Sequence, residues 1–173
     1  RDGNGQTLTG GEVGELWLQT PSAMSGYWND PGGSTEALVD GWLRTGDLAH
    51  VDDAGCFRLA GRVTEMYIRG GYNVYPIEVE NHLGQHKLVD RVAVTGTAAP
   101  VLGEIGVAFV VPADAANPPT LEELRAWCNE RLASYKAPDA LVLLDELPLT
   151  AMSKIDKRSL APAAADAQKK WQR

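Results

Sequence analysis

Long apolar runs are missing from these 173 residues. Although 44% of them are hydrophobic, no uninterrupted stretch is long enough to cross a bilayer as a helix. Cysteine is scarce: Cys56 and Cys128 are the only two, far apart and in no metal-type spacing. That excludes a disulfide scaffold or a zinc module and makes a reducing cytoplasm the expected compartment. Positive charge is in deficit, with 16 Lys and Arg against 23 Asp and Glu and a net charge of −7. Such a balance disfavours nucleic acid and anionic membrane surfaces as partners. A Gly-x-Ser-x-Gly elbow is absent, as is a Gly-rich phosphate loop ending in Lys-Ser or Lys-Thr, so neither a self-sufficient hydrolase nor a P-loop enzyme is expected. The chain opens RDGNGQTLTGG, without a starting Met or an apolar signal segment, as expected of a piece of something longer.

What is present divides in two. Residues 1–62 read as short strands broken by glycine turns, with strands expected at Glu15–Gln19 and Cys56–Ala60. Asp30-Pro31-Gly32-Gly33 reads as a breaker and Asp52-Asp53-Ala54-Gly55 as a polar turn. Apolar positions are too few here for a self-sufficient core. Beyond Arg62 the pattern changes. MYIRGGYNVYP, Met66–Pro76, sets Gly70 and Gly71 between two strand-like runs, the signal for a tight hairpin whose turn needs positive φ. Pro76 then stands at a first helical position, with Glu78 and Glu80 in the opening turns, and this helix should end near Gly84. Val89–Val94, Gly106–Val111 and Ala140–Leu144 read as strands. Thr120 with Glu123 forms a capping box. The helix it opens should run to about Tyr135, with Leu121, Leu124, Cys128, Leu132 and Tyr135 on one face. The ending APAAADAQKKWQR is alanine-rich and reads as frayed helix or disorder, with a flexible tail expected over 166–173. Strands and helices intermixed from residue 63 to 165 make a compact α+β unit with a small mixed sheet and flanking helices.

Several residues could carry chemistry. His82 and His86 have the spacing of two helical metal ligands. With no HExxH glutamate and no evident third ligand, two solvated histidines are expected, and no metal site. Arg44-Thr45-Gly46-Asp47 puts a carboxylate at a turn. It either closes that turn or accepts two hydrogen bonds from adjacent ribose hydroxyls, since an ionised carboxylate has two acceptor oxygens. Arg62 is a surface guanidinium just before the hairpin. Lys154 lies in LPLTAMSK, on a loop of small residues directed by a proline, where a solvated lysine is the ordinary reading.

Taken in order, GELWLQTPSAMSGYWNDP, DGWLRTGDLAHVDDAGCFRLAGR, MYIRGGYNVYPIEVE, LASYKAP and LPLTAMSKIDKRSL resemble the adenylate-forming, or AMP-binding, superfamily. It comprises acyl-CoA synthetases, peptide-synthetase adenylation domains and beetle luciferases. The resemblance covers almost the whole chain and implies that residues 1–62 are the last strands of a large N-terminal domain. Residues 63–165 would then be the mobile C-terminal domain. Its members activate a carboxylic acid with ATP to an acyl adenylate, and in the ligases a thiol displaces AMP. The hairpin wording is closest to acyl- and aryl-CoA ligases.

The resemblance implies roles by position. Asp47 matches the aspartate that holds the ribose hydroxyls, and Arg62 an arginine near the same nucleotide. Lys154 matches the lysine bridging carboxylate and phosphates during adenylation. Thr64 falls on the hinge, and Gly71, with Gly70 and Arg69 beside it, on the pantetheine channel. Two positions depart from the family: Thr64 stands where Asp or Lys is usual, and Ser153 where glycine usually precedes the lysine. Serine restricts the backbone there, so any cost falls on adenylation. The implied parent is a cytoplasmic AMP-forming acyl-CoA synthetase of fatty acid metabolism, with ATP and CoA as substrates. Mg2+ would be held by the N-terminal part of the same protein. An acyl-AMP ligase loading a carrier protein is the alternative within the family. A non-catalytic remnant or interaction module is the alternative outside it.

Overall fold

In the computed structural model, which describes residues 1–171, the chain forms two compact units, Arg1–Thr64 and a second beginning at Glu65. The first is built on a long strand that sequence patterning does not anticipate, β3 (Trp42–Val51). It pairs antiparallel with β1 (Gly14–Leu18) on one side and with β2 (Leu38–Val39) and β4 (Phe57–Arg62) on the other. The expected breaker at 30–33 is a helix start instead: Asp30 caps α1 (Pro31–Ala37), accepting a hydrogen bond from the Gly33 N–H at 2.8 Å. Proline at the first helical position needs no N–H, which is why Pro31 begins the helix rather than breaking it. Only Gly14, Leu48 and Ala49 are buried in this unit. So small a core cannot offset the ordering entropy of 64 residues.

The second unit has a real core, on two sides of one sheet. Strands β5 (Tyr67–Arg69) and β6 (Tyr72–Val74) form the expected hairpin, with Gly70 at φ 57° and Gly71 at φ 88°. Both central residues of the turn therefore have positive φ, the reason for two glycines. The helix α2 (Pro76–Leu83) follows, then the long antiparallel pair β7 (Val89–Ala99) and β8 (Gly103–Pro112). The last strand, β9 (Ala140–Leu143), lies parallel to β8, making the sheet mixed as expected. Side-chain alternation along β7 and β8 sends Val94, Ala108 and Val110 to one face and Ala93, Val107 and Phe109 to the other. The first face is covered by Val79 and Leu83 of α2 and by Leu124 and Cys128 of α3 (Leu121–Asn129). The second is covered by Leu160, Ala164 and Ala167 of α4 (Lys157–Trp171).

Three expectations are corrected here. The capping box of Thr120 and Glu123 is present, but α3 stops at Asn129, well short of Tyr135. The chain continues through a single turn of 3₁₀ helix, Ser134–Lys136, which ends at Ala137, the residue that Pro138 restricts. The flexible tail expected from 166 is the second half of α4 as far as Trp171. Residues 172–173 of that tail lie outside the described residues. Leu160, Ala164 and Ala167 recur at helical spacing, and alanines let the helix approach the sheet closely. His82 is not solvated: its ring stacks on Trp127 at 5.5 Å, its Nε2 donates to the Trp127 carbonyl, and Trp127 Nε1 donates to the His82 carbonyl. His86 meets the same indole edge-on. His82 and Trp127 thus hold α2 to α3.

Candidate functional site

In the first unit, Asp47 is not at a turn between strands but on a bulge within β3. On one side, Glu15 and Trp17 pair with Leu48 and Arg44, so residues 45–47 stand opposite the single residue Leu16. The Thr45 hydroxyl donates to the Leu16 carbonyl at 2.8 Å and accepts from the Asp47 N–H at 3.0 Å, filling the gap the bulge leaves. Gly46 takes φ 71°, which a side chain would resist. On the other side, Asp47 pairs with Arg62 and Leu48 with Gly61, followed by a register shift. Bulges re-aim side chains in this way at functional sites. Arg62 Nη1 donates to Asp47 Oδ1 at 2.7 Å. The second carboxylate oxygen has no partner among the described residues. The two sequence-selected residues are thus a pair, and Thr64 follows them in the turn where this unit ends.

In the second unit, the tip of the hairpin is held by its surroundings rather than by its turn alone. The Gly70 N–H donates to the Leu102 carbonyl at 2.8 Å, and the Ile68 N–H to the Glu104 carboxylate at 2.7 Å. Gly71 is open: a Cβ built there meets nothing within 4 Å, so only its φ demands glycine in this conformation. Arg69 is committed elsewhere. Its Nε and Nη2 grip the two oxygens of Asp139 at 2.8 and 2.7 Å, and this bond raises its already high pKa. Nothing in the sequence around Asp139 signals this role. A lone acidic residue at a strand start reads as solvated, yet it is 3% exposed.

Lys154 lies on the α4 side of the same unit. Its loop closes through the Thr150 N–H to the Lys154 carbonyl at 2.7 Å and the Ser153 N–H to the Thr150 carbonyl at 2.9 Å. Leu149 and Ile155 bridge its ends. Ser153 sits at φ 59°, in the left-handed region where glycine is easy and serine is not. The departure noted in the sequence therefore falls on a position where glycine's freedom matters. The Lys154 ammonium has no ion-pair partner among the described residues. Leu147 and Ile155, flanking the loop, pack on the α4 side, whereas Tyr67 and Val74 of the hairpin pack on the α2 and α3 side. The side chains that anchor the two motifs lie on opposite faces of one sheet.

Sequence reasoning also misses Lys157. It is bound by Glu65, immediately after Thr64, at 2.7 Å and by Glu80 of α2 at 2.8 Å. Burial lowers its pKa, but the two carboxylates outweigh that and hold the ammonium charged. The signal was the motif's own second lysine, three residues after Lys154. Among the described residues no three His, Cys, Asp or Glu side chains gather to hold a metal, and no helix is long and apolar enough to cross a membrane.

Comparison with known proteins gives these features a family. Residues 78–154 match the family described as AMP-binding enzyme C-terminal domain. A feruloyl-CoA synthase of Amycolatopsis sp is 44% identical over 154 residues, covering 89% of this chain and 31% of that protein. A long-chain-fatty-acid–CoA ligase of Bacillus subtilis (strain 168) is 44% identical over 149 residues, covering 86% of this chain and 26% of its own length. The solved structure of the amide bond synthetase McbA from Marinactinospora thermotolerans superposes with a TM-score of 0.87 at 39% identity, covering 94% of this chain and 33% of that one. The chain thus spans a quarter to a third of the length of these relatives. It belongs to the adenylate-forming (AMP-binding) superfamily, and its second unit carries the C-terminal domain of such an enzyme.

Proposed function

We propose that the chain is the C-terminal portion of an ATP-dependent acyl-CoA synthetase. Its parent converts a carboxylic acid and ATP to acyl-AMP and pyrophosphate, and then exchanges AMP for the thiol of CoA. The acid to test first is a fatty acid, the class of the Bacillus subtilis relative, with ferulic acid as comparator. The observation that carries the reading is Lys154: an ammonium unpaired among the described residues, on a closed loop, available to neutralise charge as a carboxylate oxygen attacks the α-phosphorus. Asp47 accepts from the ribose hydroxyls, and Arg62 orients its carboxylate from the neighbouring strand. Gly71 and Gly70 leave room beside the hairpin tip for the pantetheine arm, and Arg69 ties that tip down. Thr64 is the pivot between the two half-reactions. Mg2+ would supply charge neutralisation at the phosphates, held by residues outside this chain. The 173 residues alone do not turn over, because the acid pocket and most phosphate contacts lie elsewhere in the parent.

The test is pyrophosphate and AMP release by the whole protein with ATP, Mg2+ and a panel of acids, with and without CoA. Acid-dependent pyrophosphate release, and AMP release that requires CoA, is the expected result. AMP release driven by an acyl carrier protein or by an amine, and not by CoA, would replace the thiol acceptor and keep the adenylation. No pyrophosphate from any acid would overturn the enzyme reading.

A further inference from the structure

The hairpin that carries Gly70 and Gly71 has little backbone to hold it. Strand β5 meets β8 at one register position, Arg69 opposite Gly103, supplemented by the Gly70 and Ile68 hydrogen bonds described above. Besides the buried Tyr67 and Val74, a charged side chain tethers it. Asp139, the residue before β9, receives both donors of the Arg69 fork and the Gly106 N–H at 3.3 Å. A second guanidinium, Arg125 of α3, stands 3.6 Å from Asp139 Oδ1 and donates to the Pro138 carbonyl at 2.7 Å. The Asp139 N–H itself donates to the Gly106 carbonyl at 2.8 Å, so the aspartate is fixed to β8 by its own backbone. One nearly buried carboxylate thus joins the hairpin, β8, β9 and α3.

We infer that Asp139 is a positioning residue for thioester formation: it sets where the Gly70–Gly71 tip stands, and acts on the thiol's path through Arg69. The inference rests on the acyl-CoA synthetase reading. Its physical basis is that a bidentate guanidinium–carboxylate pair fixes direction as well as distance. Two guanidiniums sharing one anion also leave no neutral way to remove it: without the charge, Arg69 and Arg125 would face each other across the vacated position. Arg69 is released or displaced, and the tip moves with it. The Lys154 loop packs on the other face of the sheet and shares none of these contacts. The effect should therefore fall on one half-reaction.

The experiment uses the whole protein carrying Asp139→Asn, with Asp139→Glu as the variant that restores the charge. Acyl-AMP formation is followed by pyrophosphate exchange and thioester formation by CoA attack on supplied acyl adenylate. Amide exchange reports the hairpin directly. For Asp139→Asn we expect thioester formation slowed by about 30-fold or more while pyrophosphate exchange stays within about threefold. The Gly70 and Ile68 amides should exchange at least about tenfold faster while those in the middle of β7 do not change. Asp139→Glu should recover part of the thioester rate. Equal losses in both half-reactions, or loss of folding in both variants, would make the pair a general structural element and overturn the inference. So would an unchanged thioester rate. A wild-type protein that makes acyl-AMP but passes it to no CoA overturns the acceptor assignment, and with it this role for Asp139. Failure of the variants to split in an active wild type overturns this role alone.

Discussion

Removing one oxygen from Tyr67 should stabilise the second unit. The ring of Tyr67 lies across Gly96 and Gly106, which face each other on β7 and β8. A Cβ on Gly96 would strike the Tyr67 Cβ, and one on Gly106 would strike its hydroxyl. The ring replaces the side chains those glycines lack, and it is 1% exposed. Its hydroxyl is buried with no hydrogen-bond partner among the described residues, a state that costs about 1–3 kcal/mol. Tyr67→Phe removes that cost and leaves the ring packing, so urea unfolding followed by circular dichroism should show a gain of about 1 kcal/mol. Gly106→Ala alone should lose about 1–3 kcal/mol by overpacking. In the Tyr67→Phe background it should lose at least about 1 kcal/mol less, because the atom it strikes is gone. The alkaline limb gives an independent reading. Burial first, and the Asp139 charge second, raise the Tyr67 pKa above its ordinary 10.0. The folded state keeps the proton while the unfolded chain loses it, so this stability is present below pH 10 and lost as pH rises beyond. Relative to Tyr67→Phe, the wild type should lose about 1.4 kcal/mol per pH unit above that point. Cys128, pushed by burial from 9.0 to about 11, contributes similarly in both proteins and cancels. If Tyr67→Phe destabilises by more than about 1 kcal/mol, the hydroxyl is satisfied and the reasoning fails.

Two further outcomes follow from the candidate site. Asp47→Ala should weaken nucleotide binding by the whole protein by about 1.5–3 kcal/mol, the loss of a charge-assisted acceptor. It should cost under about 1 kcal/mol of stability, because its pair with Arg62 is largely exposed; nucleotide affinity unchanged within about twofold would return Asp47 to a purely structural role. Ser153→Val, placing a β-branched residue at φ 59°, should cost about 1–2 kcal/mol locally and slow pyrophosphate exchange about tenfold. Ser153→Gly should leave stability within about 0.5 kcal/mol, since relieved strain and added unfolded-state freedom nearly offset each other; a large loss of exchange on gaining glycine would contradict the left-handed assignment.

Features of the second unit governed by local chemistry were legible in the sequence. The Gly70–Gly71 turn, Pro76 at the head of α2, and the Thr120 box each depend on residues within a few positions of one another. What escaped depended on distant partners. Strand β3 is held together by three neighbours and interrupted by a bulge at Gly46, so its residues read as a turn. Asp40–Gly41 carries a hairpin signal of its own, both residues having positive φ, but β2 is only two residues long and gives no alternation to frame it. The apolar stripe continues through Leu132 and Tyr135, past the end of α3 at Asn129, so periodicity alone overran the helix. In α4 a biased composition masked a regular spacing, since alanine counts as weakly apolar yet packs closest. At the candidate site, Asp47, Arg62, Gly71 and Lys154 could be picked out by resemblance, whereas Asp139 and Tyr67 could not. Their roles arise from strands that lie 70 residues apart in the case of Arg69 and Asp139.

We propose that one small unit serves two chemical steps, Lys154 from a loop anchored on the α4 face of its sheet and the Gly70–Gly71 tip from a hairpin anchored on the α2 and α3 face. The most direct measurement is the rate at which Lys154→Ala in the whole protein converts a supplied synthetic acyl adenylate and CoA to thioester, set beside its pyrophosphate exchange. Exchange should fall by about 10²-fold or more, from lost charge stabilisation at the phosphate. Thioester formation should stay within about threefold of wild type. Equal losses in both would contradict it, and Lys154 would then be a residue of the fold rather than of adenylation.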